Sequence, residues 1–200
     1  MACSQPEEFI QVGDTIIYAD TIDSAAENLR FSFPEYGEAT LRSNLLLHGL
    51  AEAEILHQSK PEASLNAYRK LNALYRAIDG KSPNSLLPKD LLGFTKEIKE
   101  AGPSPSQHGA GTAAAVAVLS PKQWAPPYKT STGWSISYLH SRAAGQLSMA
   151  SINVETISIA VGGPNDYVNN RLAWNELPLQ GSDTLLSFLP FEFRNNRSNE

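Results

Sequence analysis

Cys3 is the only cysteine among 200 residues. A single thiol excludes an intrachain disulfide and any zinc site built from several cysteines. Charge is also scarce: Asp, Glu, Lys and Arg make up 18% of the chain, against ~25% in an average soluble domain. No window gathers Lys and Arg into a cluster, so nucleic-acid binding through a basic patch is not expected. Long apolar runs are missing as well. The longest uncharged stretch, 101–121, is rich in Ser, Gly and Ala and too polar at its start to predict a membrane span. The opening residues, MACSQPEE, lack the basic and apolar segments of a secretory leader. A cytoplasmic or nucleocytoplasmic location is the expectation, and Asn196-Arg197-Ser198 then reads as a chance glycosylation sequon.

What is present suffices for a core. Hydrophobic residues account for 42% of the chain, and the formal net charge is −5. That charge is uneven: residues 1–100 carry 15 acidic and 10 basic side chains, residues 101–200 carry 6 of each. A neutral, charge-poor half lacks the self-repulsion that keeps surfaces apart, which points to self-association.

Along the chain the hydrophobic period changes. Ile10, Val12, Ile16, Ile17 and Tyr18 around Gly13-Asp14 suggest a short strand or two. Phe31 and Phe33, just before Pro34, suggest another extended segment. From about Glu38 to Gln58 the pattern is helical, with Leu41, Leu45, Ile55 and Leu56 in one stripe and Leu46, Leu47 and Leu50 outside it. Ser59-Lys60-Pro61-Glu62 resembles a capping box. It opens a helix over about 61–79 with Tyr68, Leu71, Leu74, Tyr75 and Ile78 on one face, stopped by Asp79-Gly80. A third helix is expected from Pro88 to Gly102, with Leu91, Phe94 and Ile98 inward.

Residues 101–112 form a Pro/Ser/Gly linker, and residues 113–119 suit either a short helix or a strand. Beyond them the pattern alternates. Trp134, Ile136, Tyr138 and His140 share one parity, and Ser135, Ser137 and Ser141 the other. Parity then switches through Leu147 and Met149, Ile152 and Val154, and Ile157, Ile159 and Val161, each switch calling for a bulge or break. Gly162-Gly163-Pro164-Asn165-Asp166 is a turn signal, and 174–179 and 185–193 are further candidate strands. The predicted class is α+β. It comprises a mainly helical region 1–100 with a short β segment and a bundle of about three helices, the linker, and a β-rich region 113–200 forming an antiparallel sheet.

Candidate chemistry is thin. Gly109-Ala110-Gly111-Thr112-Ala113-Ala114 fits a relaxed dinucleotide fingerprint, but no strand precedes it and no Lys-Ser/Thr pair follows. No cofactor is expected. His48 and Glu52, and Glu54 and His57, have helical spacings used by metal ligands. His48 and His57 fall about half a turn out of phase, and helix 61–79 offers only Glu62 and Asp79 opposite, so no metal is expected. Cys3 lacks a fixed base and there is no Gly-x-Ser-x-Gly elbow. His140 is the one histidine placed to act as a general base, with Asp166 or Glu155 as its carboxylate partner. Trp124, Tyr128, Trp134, Tyr138 and Trp174 are candidate contacts for a partner or ligand, since aromatics bring large contact area at low entropy cost.

Three functional classes follow. The first is a non-catalytic assembly protein whose C-terminal half pairs with its own copies or with another protein, as in a structural particle, matrix or filament. The second is a small hydrolase or transferase using His140 and a carboxylate between the helical and sheet parts. The third is a small-ligand binding domain walled by Trp134, Tyr138 and Trp174.

Overall fold

The computed structural model describes residues 8–78, 80–143 and 151–195. Cys3, Asp79, Leu147, Met149 and the sequon at 196–198 lie outside the described residues. The fold is mixed α+β, with helices and two antiparallel sheets interleaved along the chain. A helical half followed by a sheet half does not describe it, because strands begin at Phe9 and helices recur near the C-terminus.

The smaller sheet has the order β2-β1-β8. Strands β1 (Phe9–Val12) and β2 (Thr15–Tyr18) form the expected hairpin, turning through Gly13 at φ 56°, a left-handed conformation suited to glycine. Strand β8 (Leu179–Gly181) pairs with the other side of β1. Helix α1 (Ala19–Arg30) buries Ile22, Ala26 and Leu29 on one stripe. It replaces the extended segment expected near Phe31. The chain leaves α1 in a turn that buries Phe33 at 6% exposure and leaves Phe31 at 72%.

The helix expected over 38–58 is present with an interruption. Helix α2 (Glu38–Leu45) runs through a widened turn at Leu46–Leu50 into α3 (Ala51–Ser59). Inside that turn His48 (φ −120°, ψ 41°) and Gly49 (φ 108°, ψ −1°) leave helical geometry. The break changes the helical phase beyond it, so Leu50, off the stripe of Leu41 and Leu45, is buried in the same core; Leu46, before the break, widens the buried face at the end of α2. Helix α4 (Pro61–Ile78) follows, and Gly80 turns the chain at φ 71°. Ser59 donates its hydroxyl to the Leu56 carbonyl instead of capping α4.

The third expected helix is a correction. After 3₁₀ turns at Pro83–Ser85 and Pro88–Leu91, the chain turns at Gly93 (φ 84°) and forms strand β3 (Thr95–Ala101). Leu91 and Phe94 reach the core, but Ile98 is exposed. Alternating Lys and Glu suit an exposed helix face and an edge strand equally, and pairing over seven residues with the later strand β7 (Ile152–Ala160) decides between them.

Helices α5 (Pro105–His108) and α6 (Ala110–Ala117) occupy most of the stretch expected as linker. The larger sheet has the order β3-β7-β6-β4, with β5 also on β6. Strand β6 (Gly133–Arg142) pairs with β4 (Gln123–Trp124) and β5 (Tyr128–Thr130) on one side and with β7 (Ile152–Ala160) on the other, with a register shift between Leu139 and Ser141. The parity switch inside β7 needs no bulge, because both faces are covered. Ile152 and Val154 pack with Val116 of α6, and Ile157 packs with Leu71 and Ile78 of α4.

The candidate strands at 174–179 and 185–193 are corrected too. Gly162-Gly163-Pro164 opens helix α7 (Pro164–Glu176), where the Gly163 amide donates to Asp166 Oδ2 at 2.7 Å. Helices α8 (Asp183–Ser187) and α9 (Phe191–Asn195) finish the described chain. Helix α7 buries only Asn170 and Trp174, so its sequence carries little helical periodicity. The largest core cluster joins Ile10, Ile22, Leu29 and Leu45 to Ala113, Trp174 and Leu185, drawing on both halves of the chain.

Candidate functional site

The two faces of the larger sheet differ in chemistry. Toward α4, Ile136, Tyr138 and Ile157 build an apolar layer. Toward α6 the same strands place Ser135 and Ser137 of β6 beside Ser158 and Thr156 of β7 in register. This face, marked in the sequence by the shared parity of Ser135 and Ser137, is covered: Ser135 is 3% exposed and Ser137 0%.

Burial of these hydroxyls is compensated unequally. Thr156 Oγ1 lies 2.8 Å from Ser137 Oγ, Ser137 Oγ lies 2.5 Å from the Tyr128 hydroxyl, and Tyr128 donates to Thr112 Oγ1 at 3.2 Å. This chain ties β7, β6 and β5 to the first turn of α6. Burial raises the Tyr128 phenol above its ordinary value, outweighing these hydrogen bonds, so it stays neutral and able to donate. Ser135 Oγ, one position along the same face, makes no hydrogen bond among the described residues. Its oxygen is not among the fully buried unpaired atoms of the described residues, so water or a ligand in the adjoining space can complete it.

Ser135 faces a cavity of about 190 Å³. Its floor is Ser135, Thr156 and Ser158, its walls are the first turn of α6 (Gly109 to Thr112), the His48–Gly49 break and the Thr130–Thr132 turn, and its rim is Glu97 and Lys99 of β3 with His108. Each wall has a local cause. The break between α2 and α3 brings His48 to the cavity. Gly109 (φ 80°) separates α5 from α6, and no side chain caps the new helix. The first-turn amides of a helix have no intrahelical acceptor and carry its positive end. At Gly111 a Cβ would stand 2.1 Å from the Lys129 carbonyl, so only glycine lets α6 approach β5 this closely.

His108 is held below the ordinary histidine value, first by burial and then by Lys99, with a hydrogen bond to the Ala101 carbonyl and the charge of Glu97 acting the other way. It is therefore neutral at pH 7, and its Nε2 is buried without a partner among the described residues. Lys99 donates to the Gln107 carbonyl. Glu97 forms no ion pair among the described residues. Hydrogen-bond donors, acceptors and one charge of each sign thus surround a small polar space.

A more apolar groove of about 410 Å³ lies across α6, bordered by Ala25, Leu50, Ala53, Ala114, Pro126 and Tyr128. A third depression, about 290 Å³, adjoins His57, Ser64, Tyr68 and Trp134.

The residues singled out by sequence fall elsewhere. His140 Nε2 lies 3.0 Å from Glu155 Oε2, while Asp166 stays on α7, bridged to Lys60 at 3.0 Å. Glu155, 1% exposed, also pairs with Lys96 at 2.7 Å. The described cavities are lined by other residues than His140. Trp124 and Tyr138 pack at a tilt of 59°, with ring centroids 5.1 Å apart, inside the α4-side core, and Trp124 Nε1 donates to the Lys81 carbonyl. Trp174 is buried in the other core against Phe193. Trp134 and Tyr138 share a face as their parity requires, but Trp174 does not join them in one wall. Of the five aromatics, Tyr128 borders the apolar groove and Trp134 the third depression.

The metal-like spacings are also separated. His48 leaves the helix that carries Glu52, Glu54 pairs with Lys129, and His57 bonds Ser64 and Gly133. No group of three or more metal-binding side chains forms among the described residues. No described helix is long and apolar enough to cross a membrane. Gly109 to Ala114 lacks the strand-turn-helix of a dinucleotide site, since β3 is followed by α5 before α6 begins. Comparison of the chain with protein-family models, curated proteins and solved structures finds no match in any of the three.

Proposed function

We propose that this protein binds a small polar molecule in the cavity at the start of α6. The observation that carries this reading is Ser135, a residue 3% exposed whose Oγ has no hydrogen-bond partner among the described residues and faces a cavity bordered by uncapped helix amides. A packing-only role would have favoured alanine or a paired hydroxyl there. The volume, about 190 Å³, is smaller than the ~300–1,000 Å³ of a pocket for drug-sized ligands. A single metabolite-sized ligand fits better than a nucleotide.

Self-association through the sheet, the first class suggested by composition, has less support. The outer strand β3 is charged along its length, and Pro126-Pro127 interrupts the opposite edge between β4 and β5. Both are devices that discourage strand addition. The test is amide NMR of the full chain titrated with panels of small carboxylates, phosphates, sugars and amino acids. Saturable shifts centred on Gly109, Gly111, Thr112 and Ser135 are expected from one of these classes, weakened in Ser135→Ala. Absence of any saturable shift at these amides across all panels overturns the proposal.

A further inference from the structure

The rim and floor of this cavity carry opposite charges on one strand face. Glu97 and Lys99 are two residues apart on β3, so both point to the α6 side, roughly 6–7 Å apart along the strand. Their formal charges cancel. An isolated dianion such as phosphate would meet the Glu97 carboxylate, which no cation of the described residues neutralises. A simple cation would meet the positive end of α6 and Lys99. The pocket is complementary to neither charge alone.

It is complementary to both on one molecule. From this geometry we infer that the ligand is a zwitterion of the free α-amino-acid class, its carboxylate at the first turn of α6 and its ammonium toward Glu97. This rests on the proposed ligand-binding role of the same cavity and names its substrate class. The carboxylate receives the amides of Ala110, Gly111 and Thr112, a site the helix leaves open because no side chain caps it. Ser135 Oγ–H, unpaired and facing the cavity, supplies a further donor from the floor. Glu97 accepts from the ammonium at the rim it shares with His108.

Dimensions agree. About 190 Å³ is below the ~300–1,000 Å³ of a pocket for drug-sized ligands, which suits one small molecule and not a peptide. The hydroxyls of Thr130, Ser131 and Ser158 leave polar walls for the side chain.

Calorimetric titration of the full chain with the free protein amino acids, their N-acetyl derivatives, their carboxamides and inorganic phosphate tests the inference. At least one free amino acid is expected to bind, with about tenfold or greater loss on N-acetylation and on amidation, since each removes a charge-assisted hydrogen bond. Glu97→Gln, on an exposed strand, should keep the fold and weaken the amino acid about tenfold, bringing it level with its N-acetyl form. Phosphate or the N-acetyl form binding as tightly as the free amino acid overturns the zwitterion assignment while leaving a polar-ligand site standing. Binding unchanged by Glu97→Gln also overturns it. If none of these compounds binds, the zwitterion assignment falls, and the polar-ligand reading falls with it only if the carboxylate and sugar panels also leave the Gly109, Gly111, Thr112 and Ser135 amides unshifted.

Discussion

Ser64 Oγ lies 2.6 Å from His57 Nδ1, joining α4 to α3. The ring's other nitrogen meets the Gly133 carbonyl at 3.0 Å, and Trp134 Nε1 donates to the same Ser64 oxygen at 3.0 Å. One proton arrangement satisfies all three: His57 Nε2–H donates to Gly133, Ser64 donates to Nδ1 and Trp134 donates to Ser64. Three elements meet at these atoms, and Ser64 is 7% and His57 5% exposed. Ser64→Ala strands both an imidazole acceptor and an indole donor, so a loss of roughly 2 kcal/mol in urea unfolding is expected. A loss within experimental error of zero contradicts this coupling.

The same histidine sets a pH dependence. His57 is held below its ordinary value of 6.5, first by burial and then by Lys129, against the Gly133 carbonyl and Glu54. His108 is lowered as well. In the window between folded and unfolded values the unfolded chain binds more protons, so stability increases with pH there. The stabilisation is complete above the unfolded value and is lost as pH falls through that value toward the folded ones. Thermal midpoints should drop between about pH 7.5 and about pH 5, and His57→Gln should flatten part of that drop. A wild-type midpoint constant across this range excludes the linkage.

Two glycines at the start of α6 separate backbone strain from steric contact. Gly109 has φ 80° but no atom within 4 Å of a built Cβ, whereas Gly111 has a Cβ site 2.1 Å from the Lys129 carbonyl. Gly109→Ala should cost about 1–2 kcal/mol from conformation alone. Gly111→Ala must push α6 away from β5 and should cost about 3 kcal/mol or more, disturbing the Tyr128–Thr112 hydrogen bond. Chemical denaturation with NMR of the Tyr128 and Thr112 signals distinguishes them. Equal, small losses in the two variants refute the close-approach explanation.

How much of this was readable in the sequence depends on whether a pattern had one physical explanation. The hairpin at Gly13-Asp14, helix α4 and the alternation of Trp134, Ile136 and Tyr138 each had one, and the structure places them so. Strand β3 did not: Lys96, Glu97, Lys99 and Glu100 satisfy a solvated helix and an edge strand alike. In β7 the parity change between Val154 and Ile157 looked like a bulge because only one covered face was assumed. The cavity was legible in part. Gly109 and Gly111 stood out, though as a nucleotide motif, while Ser135 and Ser137 were marked only by their shared parity. Period locates a face but does not reveal what covers it. That depended on α6, whose Ala-rich segment suited strand or helix, and on the break at His48–Gly49, whose only trace was a leucine stripe out of phase.

The outer strand provides the last expectation. Strand β3 exposes its backbone edge, and its Lys and Glu side chains would have to be crowded together for a second copy to pair with it. Lys96 is additionally held by the buried carboxylate of Glu155 at 2.7 Å. Light scattering should therefore give a mass independent of concentration for the unaltered chain. In the variant Glu97→Thr, Glu100→Thr and Lys99→Thr, Lys96 keeps its partner but the edge loses its other three charges and becomes richer in β-branched residues. Its apparent mass should rise with concentration, and thioflavin binding should follow if the added strands continue to stack. A concentration-dependent mass in the unaltered chain would instead restore self-association through the sheet as the leading account of what this protein does, because the charges on β3 would then have failed as a guard.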